Sequence, residues 1–165
     1  MERFDREGRL VVPDAEDVQR ELSKHGVHYE GVVHVHQAFC PNGHLLITDD
    51  CARFDDLPGI KLLLRGVPGE DIVYVSPLLN QRQRQGGNAF KLGDRLEVRC
   101  PVCGVELPVL APCDCQWNGE YVMLGLDEES STDNAVCFCN IWGCPNGDIR
   151  LAGTVISEYR SNYEL

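Results

Sequence analysis

The stretch Arg99-Cys100-Pro101-Val102-Cys103-Gly104-Val105-Glu106-Leu107-Pro108-Val109-Leu110-Ala111-Pro112-Cys113-Asp114-Cys115 sets two pairs of thiols on either side of one apolar run. Two cysteines separated by two residues can grip a single tetrahedral ion from a tight turn, and a glycine directly after them lets the backbone curl so that amides approach sulfur. Cys100, Cys103 and Gly104 meet that requirement, with strand-like sequence leading in over Leu96–Arg99 and out over Val105–Leu107. Only Asp114 separates Cys113 from Cys115. In an extended chain residues two apart share a face, so both sulfurs can still reach one ion; the plain alternative is a pair of buried free thiols.

Two further clusters lie outward from this segment. Upstream, Cys40-Pro41-Asn42-Gly43-His44 flanks a turn with a thiol and an imidazole, and Pro, Asn and Gly are the residues that favour turns. Downstream, Cys137, Cys139 and Cys144 lead into a second Cys-Pro-Asn-Gly, Cys144 to Gly147. The two regions echo each other, because Val33-His34-Val35-His36 stands before the first copy much as Val136-Cys137-Phe138-Cys139 stands before the second. Cys139 and Cys144 bracket the turn Asn140–Gly143 and are the expected ligands. Cys137 is left as a buried thiol or an alternative ligand, and Asp148, in the place of His44, as a turn residue. His34 and His36 share a strand face and read as ordinary histidines, with a role in the first site as their functional alternative. Cys51 beside Asp49 and Asp50 reads as a spare thiol.

The count is then Cys40, His44, Cys100, Cys103, Cys113, Cys115, Cys139 and Cys144, enough for two closed four-coordinate sites. Thiolate-dominated closed sites suit structural zinc, whereas catalytic zinc keeps an open position and draws on His, Asp or Glu. Iron is the less favoured metal, since one site includes His44 and the Cys-x-x-Cys-x-x-Cys run of ferredoxins is missing. The preferred pairing is sequential: Cys40 and His44 with Cys100 and Cys103, then Cys113 and Cys115 with Cys139 and Cys144. The segment Arg99 to Cys115 resembles the zinc-ribbon superfamily, in which a Cys-Pro-x-Cys-Gly knuckle and an apolar hairpin precede a second cysteine pair. That resemblance implies a different pairing, with Cys100, Cys103, Cys113 and Cys115 in one site and the two Pro-Asn-Gly turns sharing the other. The single residue between Cys113 and Cys115 departs from the family pattern.

The remainder of the chain supplies the expected scaffold. An amphipathic helix is expected over Pro13–Gly26, capped by Asp14 and stopped at Gly26. Short apolar or alternating runs follow at Val27–Phe39, His44–Thr48, Ile60–Arg65, Asp71–Val75, Arg95–Arg99, Tyr121–Leu126, Ala135–Cys139 and Ile149–Ile156. The expected fold is mostly β, α+β with one N-terminal helix, built as small antiparallel sheets and hairpins around zinc-ribbon-like knuckles. One domain spans residues 1–165, with a helical extension over 1–26, a first β/zinc half over 27–112 and a second zinc half over 113–165. The segment Leu78–Gly93 reads as an exposed polar loop in which Arg82 and Arg84 are expected as solvated charges, with a binding role as the alternative.

Lys plus Arg number 15 against 26 Asp plus Glu, a net charge of -11, which repels phosphate backbones and disfavours nucleic acid as a partner. The amino terminus lacks a signal-peptide core, and no stretch approaches about 18 uninterrupted apolar residues, so the expected place is the cytoplasm rather than a membrane. A reducing cytoplasm keeps the nine cysteines free for metal. No phosphate-binding glycine loop, nucleophile elbow or zinc-protease helix motif is present. The expected function is therefore a non-enzymatic scaffold or protein-interaction module. A redox or metal-dependent enzyme, with an iron–thiolate site or a reactive Cys51 or Cys137, is the alternative.

Overall fold

The computed structural model describes Arg20, Ser23, Lys24 and residues 27–29, 33–78, 83–151 and 154–159. Among these, helix is confined to Arg20, Ser23 and Lys24, and the rest of the expected helix Pro13–Gly26 lies outside the described residues. The chain is otherwise a succession of antiparallel hairpins. β1 (Val27–Tyr29) pairs with β2 (Val33–Val35), and β3 (Arg53–Phe54) with β4 (Leu57–Pro58). A four-stranded sheet combines β5 (Ile60–Gly66), β6 (Gly69–Val75), β7 (Arg84–Gln85) and β8 (Glu97–Arg99) in the order β7-β6-β5-β8. A five-stranded meander follows: β9 (Val109–Pro112), β10 (Glu120–Gly125), β11 (Ala135–Cys139), β12 (Gly147–Leu151) and β13 (Thr154–Tyr159), each paired with its neighbour in sequence.

The period-two alternation of these strands decides which side chains meet. In β5, Ile60, Leu62 and Leu64 share one face. They pack with Val73, Val98, Leu107, Val122, Leu124, Val136 and Ile149 into a core that joins the two larger sheets. The opposite face of the meander carries Tyr121, Met123, Ala135, Cys137 and Cys139, which form a second cluster with Cys113, Cys115, Ile141 and Cys144. Burying each such aliphatic side chain contributes about 1.5–3 kcal/mol. The alternation in β10 and β11 thus sends hydrocarbon to one side of the sheet and sulfur to the other.

Several sequence expectations need adjustment. Within Val27–Phe39 the described strands are β1 and β2, and residues 36–38 lie outside both. His44–Thr48 forms no strand, because its pairing stops at a single bridge between Phe39 and Leu45 while Leu46 is shared between Ala38 and Lys61. Ile149–Ile156 spans parts of two strands, β12 and β13. Leu78–Gly93 is not simply an exposed loop: it contains β7 and buries Phe90, 7% exposed, in the main core. Here Phe90 overrides the polar composition, since its ring packs on Trp142 at 5.3 Å between centroids.

Candidate metal centres

The eight candidate ligands gather into two groups, Cys40, His44, Cys100 and Cys103 in one and Cys113, Cys115, Cys139 and Cys144 in the other. In each group the ligand atoms all lie within 4.8 Å of one another. The grouping follows the sequential pairing, so the two cysteine pairs of the Arg99–Cys115 segment part company. All the cysteines are free thiols.

The first group, site 1, joins the turn after β2 to the turn after β8. Gly43 N–H donates to the Cys40 carbonyl at 2.9 Å and Cys40 N–H to the His44 carbonyl at 3.0 Å, which folds the thiol back beside the imidazole. The knuckle closes in the same way: Gly104 N–H donates to the Cys100 carbonyl at 2.9 Å, and Val102 N–H reaches Cys100 Sγ at 3.4 Å. Gly104 holds φ +73, the left-handed conformation that other residues adopt only at a cost. Cys40 Sγ then stands 3.4 Å from His44 Nδ1 and 3.9 Å from Cys103 Sγ.

Site 2 is assembled from the connections around β10 and β11. Cys113 and Cys115 do not share a strand face as expected; they lie in the β9–β10 turn, where Cys113 N–H donates to the Gly119 carbonyl at 2.8 Å and Gly119 N–H to Cys115 Sγ at 3.4 Å. Cys139 ends β11, and Cys144 N–H donates to the Ile141 carbonyl at 3.1 Å in the loop that follows. Cys115 Sγ and Cys139 Sγ are 3.9 Å apart. All four thiols are buried, whereas in site 1 Cys103 is exposed.

These separations fit a tetrahedral ion. Sulfurs about 2.3 Å and an imidazole nitrogen about 2.0 Å from a tetrahedral zinc stand roughly 3.5–3.8 Å from one another. The observed 3.9 Å sulfur–sulfur and 3.4 Å sulfur–nitrogen distances lie within a few tenths of that. They are far beyond the roughly 2.05 Å of a disulfide bond.

The electrostatics of the groups match their geometry. Thiols this close cannot all ionise without a cation, so one sulfur takes the charge and its neighbours hold their protons. In site 1, N–H donation from the Val105 backbone and then from Asn42 brings Cys103 down to about 6, while burial pushes Cys100 up to about 11. In site 2, hydrogen bonding from Cys139 brings Cys144 down to about 6, and the same contact, followed by burial, raises Cys139. Burial also raises Cys113. A divalent cation stabilises the thiolate form of every sulfur in such a group.

Sequence reasoning missed three features. Asn42 Nδ2 donates to Cys103 Sγ at 3.4 Å and Asn146 Nδ2 to Cys113 Sγ at 3.4 Å. The asparagine of each Cys-Pro-Asn-Gly thus reaches a sulfur of the opposing pair, and the repeated motif was the available signal. Gly119 is also required by close approach, since a Cβ there would overlap Cys139 Sγ and stand 2.6 Å from Ile141 Cγ1. Arg84, expected as a solvated loop charge, instead lies 4.5 Å from the centroid of the Trp142 ring; burial lowers its pKa, while the negative charge of Cys144 and Cys139 acts to raise it. Arg82 lies outside the described residues.

The remaining candidates fall outside both groups. Cys137, 1% exposed, faces the second cluster without joining the ligands, and burial followed by Asp148 pushes its thiol up to about 12. Asp148 pairs with Arg150 at 3.1 Å. Cys51 accepts the Thr48 N–H at 3.4 Å and closes a local turn. The rings of His34 and His36 pack against each other at 4.3 Å between centroids.

The chain matches no known protein-family model, no curated protein and no solved structure. Among the described residues no helix is long and apolar enough to cross a membrane.

Proposed function

We propose that this chain is a zinc protein whose two ions are structural, and that it serves as a non-enzymatic scaffold or protein-interaction module. The observation that carries the reading is the convergence of eight cysteine and histidine donors, drawn from distant parts of the chain, into two tetrahedron-sized groups. Site 1 supplies three sulfurs and a nitrogen, and site 2 supplies four sulfurs; both sets are complete at four, which leaves no position for a substrate water. A zinc-ribbon relationship is proposed only for the Cys100–Gly104 knuckle. The net charge of -11 favours a protein partner over a nucleic acid.

Elemental analysis of the purified chain should give two zinc ions per chain. Removal by a chelator should abolish cooperative unfolding or lower its midpoint steeply, because closed thiolate sites contribute on the order of 10 kcal/mol each in small zinc peptides. A metal-free chain that melts as cooperatively and at the same temperature as the loaded one would sink the structural reading. The all-sulfur donor set of site 2 also suits iron, so a red protein as purified would move that site to a redox role.

A further inference from the structure

We infer that Cys103 is a modification site for peroxides, through which site 1 releases its ion while site 2 keeps its own. The inference rests on the zinc reading above and adds a chemical difference between the two sites. Site 2 has all its sulfurs covered, with Cys113, Cys115, Cys139 and Cys144 at 5%, 7%, 3% and 3% exposure. Site 1 has Cys40 and Cys100 at 0%, but Cys103 is exposed at the tip of the knuckle beside Val102, which is 66% exposed. An oxidant arriving from solvent therefore meets one sulfur of one site.

The partner for that sulfur is already in place. Cys40 Sγ lies 3.9 Å from Cys103 Sγ and comes from a distant part of the chain. In the proposed step a sulfur lone pair of Cys103 attacks one oxygen of hydrogen peroxide, the O–O bond breaks, and hydroxide leaves and takes a proton from solvent. The resulting sulfenic acid is attacked by the Cys40 thiolate; the S–S bond forms and the S–O bond breaks, releasing a second hydroxide that is also protonated. Two sulfurs lose two electrons in total, one peroxide becomes two waters, and the zinc loses two of its four donors.

The bridge would join the same two turns that the ion joined. Oxidation therefore releases metal from site 1 without freeing the Cys40–His44 turn from the knuckle, and a thiol reductant with added zinc restores the site. A device of this kind acts at the knuckle tip that carries Val102 and leaves the sulfur-covered face of the meander intact.

The full-length zinc-loaded protein is treated with hydrogen peroxide beside a chromophoric zinc chelator. One equivalent per chain is expected at least about tenfold faster than the second, and peptide mapping after the first phase is expected to show a Cys40–Cys103 bridge. Release of both equivalents together, or a first bridge between site 2 cysteines, overturns the inference; a Cys100–Cys103 bridge overturns the choice of Cys40. Because Cys103→Ser can impair folding, the order of labelling is also measured on the unmodified sequence with substoichiometric N-ethylmaleimide. Cys103 is expected first, and a first adduct at any other cysteine refutes its assignment. A chain that retains no metal before treatment refutes the zinc reading instead, and the maleimide order still decides whether Cys103 is the reactive thiol.

Discussion

Replacing Gly119 by alanine should empty site 2 while leaving site 1 filled. The backbone at Gly119 is pinned from both sides: its carbonyl accepts from Cys113 N–H at 2.8 Å, and its own N–H donates to Cys115 Sγ at 3.4 Å. An added Cβ would overlap Cys139 Sγ, stand 2.6 Å from Ile141 Cγ1 and come within 3.3 Å of Cys115 Sγ. Relaxed carbon contacts are about 3.5–4.0 Å, so Ile141 and the sulfurs must retreat by roughly 1 Å. A zinc site tolerates about 0.2 Å. Overpacking of this kind costs about 1–3 kcal/mol, and the lost site adds to that. Gly104→Ala is the control, because its φ is +73 but a Cβ there meets nothing within 4 Å. It should cost about 1–2 kcal/mol of backbone strain and keep both ions. Metal per chain, read by elemental analysis and by the visible spectrum of the cobalt-substituted protein, should fall from two to one in Gly119→Ala and stay at two in Gly104→Ala. A Gly119→Ala protein that holds two ions with unchanged resistance to chelator would refute the placement of Cys115 and Cys139 around one ion.

The sulfur–amide contacts make a second test. Asn146→Ala should weaken metal binding at site 2 by about 10–100-fold in a chelator competition, and Asn42→Ala should weaken site 1 at the low end of that range because its amide is exposed to water. The non-ligand thiols make a third. Cys51 and Cys137, 4% and 1% exposed, should react with maleimide only as fast as the chain unfolds, so added denaturant should accelerate their labelling in step with the loss of structure.

What the sequence made legible follows the range of the interactions involved. The Cys100–Gly104 knuckle could be read because its requirements are local: two thiols, a turn and a residue able to hold φ +73. The β11 strand Ala135–Cys139 could be read because it is an unbroken run of 5 apolar residues between polar turn sequences. Which pairs meet was harder, since Cys40 and Cys103 are brought together across a sequence separation of 63 and nothing local to either residue specifies the other. The same limit hid Gly119, whose constraint comes from Cys139 and Ile141 rather than from its own turn. Arg84 was hidden by its neighbours in sequence, Gln83, Gln85 and Gly86, which gave no sign that Trp142 would lie beneath it. The zinc-ribbon pattern predicts its four cysteines in one site, but the β9–β10 hairpin carries Cys113 and Cys115 to the opposite face of the meander from the main core.

That opposite face explains why a chain with a sizeable hydrocarbon core would also need metal. A sheet must cover both apolar faces, and domains ordinarily do so with a second layer of helices or strands. The meander has such a layer on one side, where β5 and β6 close over Val122, Leu124 and Val136. On the other side Tyr121, Met123, Ala135 and Cys137 are covered by irregular connections that carry Cys113, Cys115, Ile141, Cys144 and Trp117. Loops of that kind bury little hydrocarbon and have few ladder hydrogen bonds to hold them down. Among the described residues no second layer of helices or strands covers that face, and in the zinc reading one ion bonded to four of these side chains fixes the loops to the end of β11. The half-buried Arg84 fits the same account, because four thiolates around a divalent ion leave net negative charge in a poorly solvated place, and a guanidinium stacked on Trp142 supplies the opposite sign. In the same reading site 1 does comparable work for the strandless segment after β2, with one sulfur left open to solvent. In the zinc reading the division is between an ion enclosed by the fold and an ion placed at its surface.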